Sequence, residues 1–457
     1  MPDQTFGFGF SGGTPDPNDP QQLQQFMSQL QQMFTTSTGG GPVNWDLARQ
    51  VAQAHLTGGR APGGMFGFGL PNLMGMAAPG TMDMAAPGPP EITGASEAEK
   101  PVGDPPVDAA DKAAVVEALR LADLWLEPES ALPSGLTVLT AWTRGEWLAA
   151  TLDVWRKLCD PVAGRIVASM SELVPEEMRG QLGPMSAMVS SLGGALFGSQ
   201  LGTALGSLAA EVLSASDIGL PLGPAGTAAL VPANIKAYGD GLELAPDQVR
   251  LYVALREAAH QRLFSHVPWL RGNILTAVEA YAAGIRVDRE AIEDAIGKFD
   301  PMNPGGMQEI ALDGIFTPDD SPQQQAALAR LETALALVEG WVSVVVDRAA
   351  GGRLPDVVRL GEAFRRRRGA GGPAEQTFAA LVGLDLRPRK LREAAALWAA
   401  LTEHRGVAGR DALWGHPDLM PDAEAFGDPE GFARHEASAD DFDISQLGDL
   451  DDGPKED

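Results

Sequence analysis

The apolar and polar positions along this chain follow a mainly helical pattern. Through most of residues 105–437, apolar residues recur at three- and four-residue spacing, which predicts amphipathic helices. The clearest case is the stretch Asp247 to Ile285, two helical patterns that meet at Pro268. A further long helix is predicted to begin at Ser321, with Pro322 in its first turn. We therefore expect a mainly α protein with a small β element.

Two other stretches predict a strand and a helix-packing surface. Thr227 to Ile235 (TAALVPANI) is the best strand candidate in the chain. Within residues 180–210, which carry no charge, four glycines lie four residues apart and predict a ridge that another helix can approach closely: Gly194, Gly198, Gly202 and Gly206. Weak hydropathy and the absence of basic flanking clusters favour a packed helix over a membrane span.

The ends of the chain differ in composition from its centre. Residues 1–104 are rich in Gly, Pro, Met and Gln and predict a flexible region with short helices at Gln21 to Phe34 and Asn44 to His55. Residues 438–457 contain eight acidic residues against one lysine and predict a solvated tail. We expect the folded domain to cover residues 105–437.

The formal net charge of −27 argues against nucleic acid or an anionic membrane surface as a general partner. A peptide or protein partner remains open. The arginine run from Arg365 to Arg368 is read as a solvated helix end. Cys159 is the only cysteine, and no secretion signal is visible at the N-terminus, so we expect a cytoplasmic protein.

The candidate chemistry lies in the first helix of the central stretch. Arg256, Glu257 and His260 occupy the positions that H-E-x-x-H fills in zinc hydrolases, where two histidines one turn apart bind the metal and the glutamate acts on its water. Glu257 and His260 keep the base and second-ligand positions. Arg256 replaces the first ligand, and a guanidinium cannot coordinate a metal because it stays protonated.

Three interpretations of this helix are open. Arg256 could supply the positive charge itself by pairing with a buried carboxylate. A zinc site could survive if His266 or Glu279 supplied a third ligand. A di-iron bundle site would need a second Glu-x-x-His helix, which this sequence lacks.

Several segments resemble the zincin-like metallopeptidase type 2 family of actinobacterial proteins: VNWDLARQVA, GEWLAATLDVWRKLCDPVA, GALFGSQLGTALG, LREAAHQRLFSHVPWL, ALVEGWVSVVVDRA and GPAEQTFAALVGLDLRPRKLREAAALW. The resemblance implies a zincin-like helical domain organised around the degenerate helix. It also implies a zinc ion, with Glu257 as general base and His260 and Glu339 as ligands. Trp341 stands where the resemblance implies a histidine in the second segment.

Two metal-binding positions thus depart from the family pattern, at Arg256 and Trp341. We expect a hydrolase-like protein with an eroded zinc site and no bound metal. The alternative is a non-catalytic interaction protein that keeps the zincin-like fold as a rigid platform.

Overall fold

The structure is a computed structural model that describes residues 42–58, 103–172, 183–283, 285–287, 316–318, 321–369 and 390–434. Its helices are α1 (Trp45–Thr57), α2 (Ala109–Leu126), α3 (Arg144–Glu172), α4 (Gly183–Ala209), α5 (Pro232–Asp240), α6 (Pro246–His266), α7 (Pro268–Ala283), α8 (Pro322–Ala350), α9 (Val357–Gly369), α10 (Leu391–Ala412) and α11 (Pro429–Arg434). Its strands are β1 (Val138–Ala141), β2 (Thr227–Leu230), β3 (Ile285–Val287) and β4 (Phe316–Pro318). The expected fold class, mainly α with a small β element, is confirmed.

The strands form two small sheets. β1 and β2 pair in parallel from Val138 opposite Thr227 to Ala141 opposite Leu230, and β3 pairs antiparallel with β4. The chain between β1 and β2 contains α3 and α4, as a parallel connection requires a long crossover. The second edge of β2 is covered by residues 213–215, because Ala215 donates to the Ala229 carbonyl and Val231 donates to the Leu213 carbonyl, both at 2.9 Å.

The strand predicted over Thr227 to Ile235 ends earlier than expected, at Leu230. Pro232 begins α5 instead. Proline suits the first turn of a helix, where its fixed φ fits and its missing N–H is not needed. The apolar character of these nine residues therefore comes from a buried strand followed by the first turn of a helix.

Helix α6 lies at the centre of the molecule. Every residue from Tyr252 to Leu263 is buried, including five polar or charged ones. The helix packs against α2, α8, α5 and β2. A helix that is buried all round cannot show the one-sided pattern of a surface helix, and its polar side chains must find partners inside the protein.

Helix α8 is the second buried helix beside the site. Ser321 caps it by accepting a hydrogen bond from the Gln324 N–H at 3.3 Å, with Pro322 in the first turn, which confirms the predicted start. Residues 335–343 are buried without interruption. Gly340 lies where a Cβ would come 2.8 Å from Cβ of Ala394, so the glycine lets α10 pack closely there.

The glycine ridge of α4 is confirmed as a helix-packing surface. Helix α1, capped by Asn44 and ended by Gly58 in the left-handed region, packs along it. Among the described residues, no helix is long and apolar enough to cross a membrane. The helix predicted over Gln21 to Phe34 lies outside the described residues.

Candidate functional site

Helix α6 presents Arg256 and His260 to its neighbour α8. The two residues lie one turn apart, and the Nδ1 atom of His260 is 2.9 Å from the Arg256 carbonyl oxygen. A carbonyl only accepts, so Nδ1 donates and the ring turns its Nε2 atom outward from the helix. Nε2 lies 3.0 Å from Oε1 of Glu339 on α8.

Glu339 is the centre of a buried charge cluster. Besides His260, its carboxylate accepts from the Arg256 guanidinium at 2.6 Å on Oε2 and from the Arg368 guanidinium at 2.8 Å on Oε1. Burial alone would raise the pKa of Glu339, but the guanidinium charges of Arg368 and Arg256 hold it well below its ordinary value. Glu339 is therefore an ionised carboxylate that accepts hydrogen bonds from three donors.

Arg256 also contacts aromatic rings in this cluster. Its guanidinium carbon lies 5.1 Å from the centroid of the Phe364 ring on α9. Burial by itself would lower the pKa of Arg256, but the Glu339 carboxylate more than offsets it and the pKa lies above its ordinary value. A buried arginine with an ionised partner and an aromatic neighbour is a stable arrangement for this charge.

The prediction that Arg365 to Arg368 form a solvated helix end is wrong for the last two of these residues. Arg367 binds Oδ2 of Asp217 at 2.8 Å, and Arg368 donates to both Glu339 and the Asp217 carbonyl. Burial tends to raise the pKa of Asp217, but the charges of Arg367 and Arg368 bring it below its ordinary value. Two arginines of the run thus hold buried carboxylates, because α9 turns this face towards the protein.

Glu257 faces a different set of partners. Its carboxylate accepts from the Ser216 N–H at 2.9 Å and from the Gln261 side chain at 3.0 Å, and no atom of the residue is exposed. Burial raises the pKa of Glu257, against the lowering effect of His260 and these hydrogen bonds. The carboxylate ties loop 210–226 to α6.

Trp341 lies on the other side of α8 from Glu339. Two residues along a helix are about 200° apart, so the two side chains face opposite ways. The Trp341 indole donates at 2.8 Å to Asp411, which also accepts from Arg410 and from the Ala131 N–H. Trp341 belongs to a structural network between α8 and α10.

The two residues considered as a third ligand do not join the cluster. His266 is exposed at the end of α6 and its Nε2 atom lies 3.1 Å from the Ser134 carbonyl oxygen. Glu279 is exposed on α7. Neither residue therefore joins His260 and Glu339, as the interpretation of a surviving zinc site required.

The donor set does not fit a catalytic zinc ion, which takes three protein ligands and a water. His260 and Glu339 are two donors, and no group of three or more His, Cys, Asp or Glu that could hold a metal occurs in the described ranges. Arg256 and Arg368 also place two positive charges on the same carboxylate. At about 4 Å and an effective dielectric of about 20, each would repel a divalent ion by about 8 kcal/mol.

Sequence reasoning found Arg256, Glu257, His260 and Glu339 but missed Asp217 and Gly219. Gly219 has a φ of +76°, and a Cβ there would lie 2.6 Å from Oε1 of Glu339. The only sequence signal for this loop is a glycine two residues after a short acidic side chain, which occurs in many turns. Its pairing with a helix about 150 residues later has no local signature.

The fold and this site together define a class of protein. On one buried helix Glu257 and His260 lie one turn apart, and His260 faces Glu339 on a second helix, which is the residue spacing of a metallopeptidase-like protein. The family model for zincin-like metallopeptidases matches residues 91–433. The chain belongs to this family, which confirms the resemblance found in the sequence.

A solved structure has a similar fold. It is the crystal structure of a proposed hydrolase with a novel fold from Chloroflexus aurantiacus, with a TM-score of 0.54 and 19% identity over 86% of this chain and 97% of that one. At this identity the likeness concerns the fold alone. No curated protein shows a significant match to this chain.

Proposed function

We propose that this chain is a metal-independent, non-hydrolytic member of the zincin-like metallopeptidase family, in which arginine side chains supply the charge that a zinc ion supplies in competent relatives. The observation that carries the proposal is the pairing of Glu339 with two buried guanidinium groups. Its carboxylate has three donors, at 2.6, 2.8 and 3.0 Å, and two of them are guanidinium groups. A metal bound to this carboxylate would lie beside both of these positive charges.

The state of Glu257 supports the same proposal. A general base in a hydrolase must reach the attacking water. Glu257 is fully buried, and each of its oxygens accepts a hydrogen bond from the protein, one from a backbone N–H and one from Gln261. In this chain its role is to anchor loop 210–226 rather than to accept a proton.

Burial of the cluster is a third argument. Arg256 is 6% exposed, Glu339 is 1% exposed and Arg368 is 9% exposed. A substrate peptide could reach them only if α9 or loop 210–226 moved away. The function left to such a fold is binding, and we propose that it is a folded platform for a peptide or protein partner.

Metal analysis of the purified full-length protein tests the proposal. We expect well below one zinc per chain and the same melting temperature with and without a chelator. The double variant Arg256→His/Arg368→Gln removes both guanidinium groups and restores three ligands, so it should gain zinc binding, whereas Arg256→His alone should not because Arg368 remains on Glu339.

One tightly held zinc per wild-type chain, lost in Glu339→Ala or His260→Ala, would overturn the proposal. The exposed His266 gives a matched control, since His266→Ala should leave the metal content of every variant unchanged. Peptidase activity of the wild type that a chelator removes would also contradict the proposal.

A further inference from the structure

The glycines of α4 form one wall of a groove, and α3 forms the other. Helix α1 lies in it, with its backbone against the glycines. A Cβ on Gly198 would come 2.6 Å from the Asn44 carbonyl oxygen, and one on Gly206 would come 3.0 Å from Cβ of His55. At Gly202 the Ala48 carbonyl would be closer still. The glycines therefore let backbone carbonyls and Cβ atoms of α1 lie directly against the backbone of α4.

The start of α1 is fixed by polar contacts. The Asn44 N–H donates to the Gly194 carbonyl at 3.0 Å, and the Trp45 indole donates to Asp160 on α3 at 2.8 Å. Arg156 lies 5.8 Å from the centroid of the Trp45 ring. These contacts set the register and direction in which a helix can lie in the groove, which is how a specific docking site differs from general packing.

The apolar contribution of α1 is small. Its buried apolar side chains are those of Ala48, Ala52 and Leu56, together with Val43 just before it. By comparison, α6 and α8 have long uninterrupted runs of buried residues. Elements with little buried apolar area open at a lower free-energy cost than the rest of a protein.

Helix α1 also stands apart in the chain. It ends at Thr57, whereas the match to the family begins at residue 91. It packs chiefly against α4 and less against α3. The 44 residues from 59 to 102 connect it to the next described residue, and a chain of this length can reach roughly 145 Å when extended.

We infer that the groove between α3 and α4 is a helix-docking site and that α1 is its tethered ligand, which leaves and rebinds as a unit while the rest of the protein stays folded. The ligand chemistry is an amphipathic helix with Asn-Trp at its start and small buried residues at four-residue spacing, Ala48 and Ala52, whose carbonyls lie against the glycines. Because a helix of 13 residues is marginal alone in water, α1 folds as it docks.

The test uses the full chain with Ala48→Arg and Ala52→Arg. These substitutions place charged side chains at two fully buried positions and expel α1, but they leave the groove unchanged. The probe is a labelled synthetic peptide of residues 41–58. We expect saturable one-to-one binding to this variant, and binding at least about 100-fold weaker to the wild type, where α1 competes at high effective concentration.

Matched variants locate the binding site. Trp45→Phe in the peptide loses the hydrogen bond to Asp160 and should weaken binding roughly 10- to 100-fold. Gly202→Leu in the expelled variant should abolish binding, since its side chain meets the Ala48 backbone position. Gly164→Leu on α3 is the control, because nothing lies within 4 Å of its Cβ position, and binding should persist.

Hydrogen exchange of the wild type gives an independent measurement. Amides of α1 should exchange at least about 100-fold faster than those of α6 and α8, through an opening that leaves the core protected. Equal protection in all three helices would overturn the inference. So would loss of the whole fold on expelling α1, or failure of the peptide to bind a folded variant.

Discussion

The substitution Glu339→Gln removes one negative charge from the buried cluster and keeps the shape of the side chain. In the wild type, Arg256 and Arg368 both bind this carboxylate, at 2.6 and 2.8 Å. The amide has a single oxygen, so one of the guanidinium groups would face an NH₂ group instead of an acceptor. Two buried cations would lose their compensating charge.

The expected loss of stability follows from this geometry. Removing one partner of a buried ion pair typically costs about 3–5 kcal/mol, because the remaining charge stays in a poorly solvated place. Asp217 still lies beside Arg367 and Arg368 in the variant, so the remaining charge is partly compensated. We therefore expect Glu339→Gln to lower the free energy of unfolding by about 3 kcal/mol at pH 7.

The same difference should depend on pH. The folded-state pKa of Glu339 lies below its unfolded value, so its contribution is complete above the unfolded pKa of about 4.3 and is lost as the pH falls through the folded pKa. Urea unfolding of wild type and variant at pH 7 and at about pH 3 measures both quantities. The gap between the two proteins should shrink in acid.

The exposed Glu403 on α10 supplies the control, since Glu403→Gln should change stability by less than about 0.5 kcal/mol. If Glu339→Gln is as stable as the wild type at pH 7, the carboxylate is not the ion that holds Arg256 and Arg368. A gap that grows as the pH falls would also refute this reasoning.

Trp341→His should not create a metal ligand, because the side chain faces away from the charge cluster, and the zinc content should stay unchanged. The free energy of unfolding in urea should fall by roughly 3 kcal/mol, because the substitution leaves a cavity in the core and removes a buried hydrogen bond. Gly219→Ala should destabilise the protein more than Gly352→Ala in the same assay: both have φ above +70°, but only the first would place a Cβ against Glu339. Equal losses would show that the loop adjusts freely. Cys159 is fully buried and burial raises its thiol pKa, so a thiol reagent should label it only as fast as the protein opens; rapid labelling of folded protein would contradict the packing of α3.

Local signals allowed much of the helical framework to be predicted. Ser321 and Pro322 mark the start of α8, and glycines at four-residue spacing mark the surface of α4. The pairing of Arg256 with a buried carboxylate was also expected from its chemistry, although the sequence did not determine which carboxylate. The structure selects Glu339 because Glu257 is occupied by Ser216 and Gln261.

The remaining parts of the site depend on tertiary contacts. A run of four arginines in an acidic chain has the composition of a solvated surface, and only the orientation of α9 turns Arg367 and Arg368 inward. Strand β1 was not predicted because four residues carry too little alternation. The division into residues 1–104, 105–437 and 438–457 stays a prediction.

The segments that neutralise Glu339 are far apart in the chain. Arg256 is 83 residues away, and the loop at Asp217 is 150 residues from Arg367. Contacts of such separation form slowly, because distant parts of the chain must first come together. Until α6, α8, α9 and loop 210–226 have packed together, each of these charged side chains has a lower free energy in water than in the protein interior. If any one of these four segments were misplaced, a charged side chain would be buried without its partner. Partly folded states that enclose these charges therefore have a high free energy, and the correctly assembled interior is favoured over them.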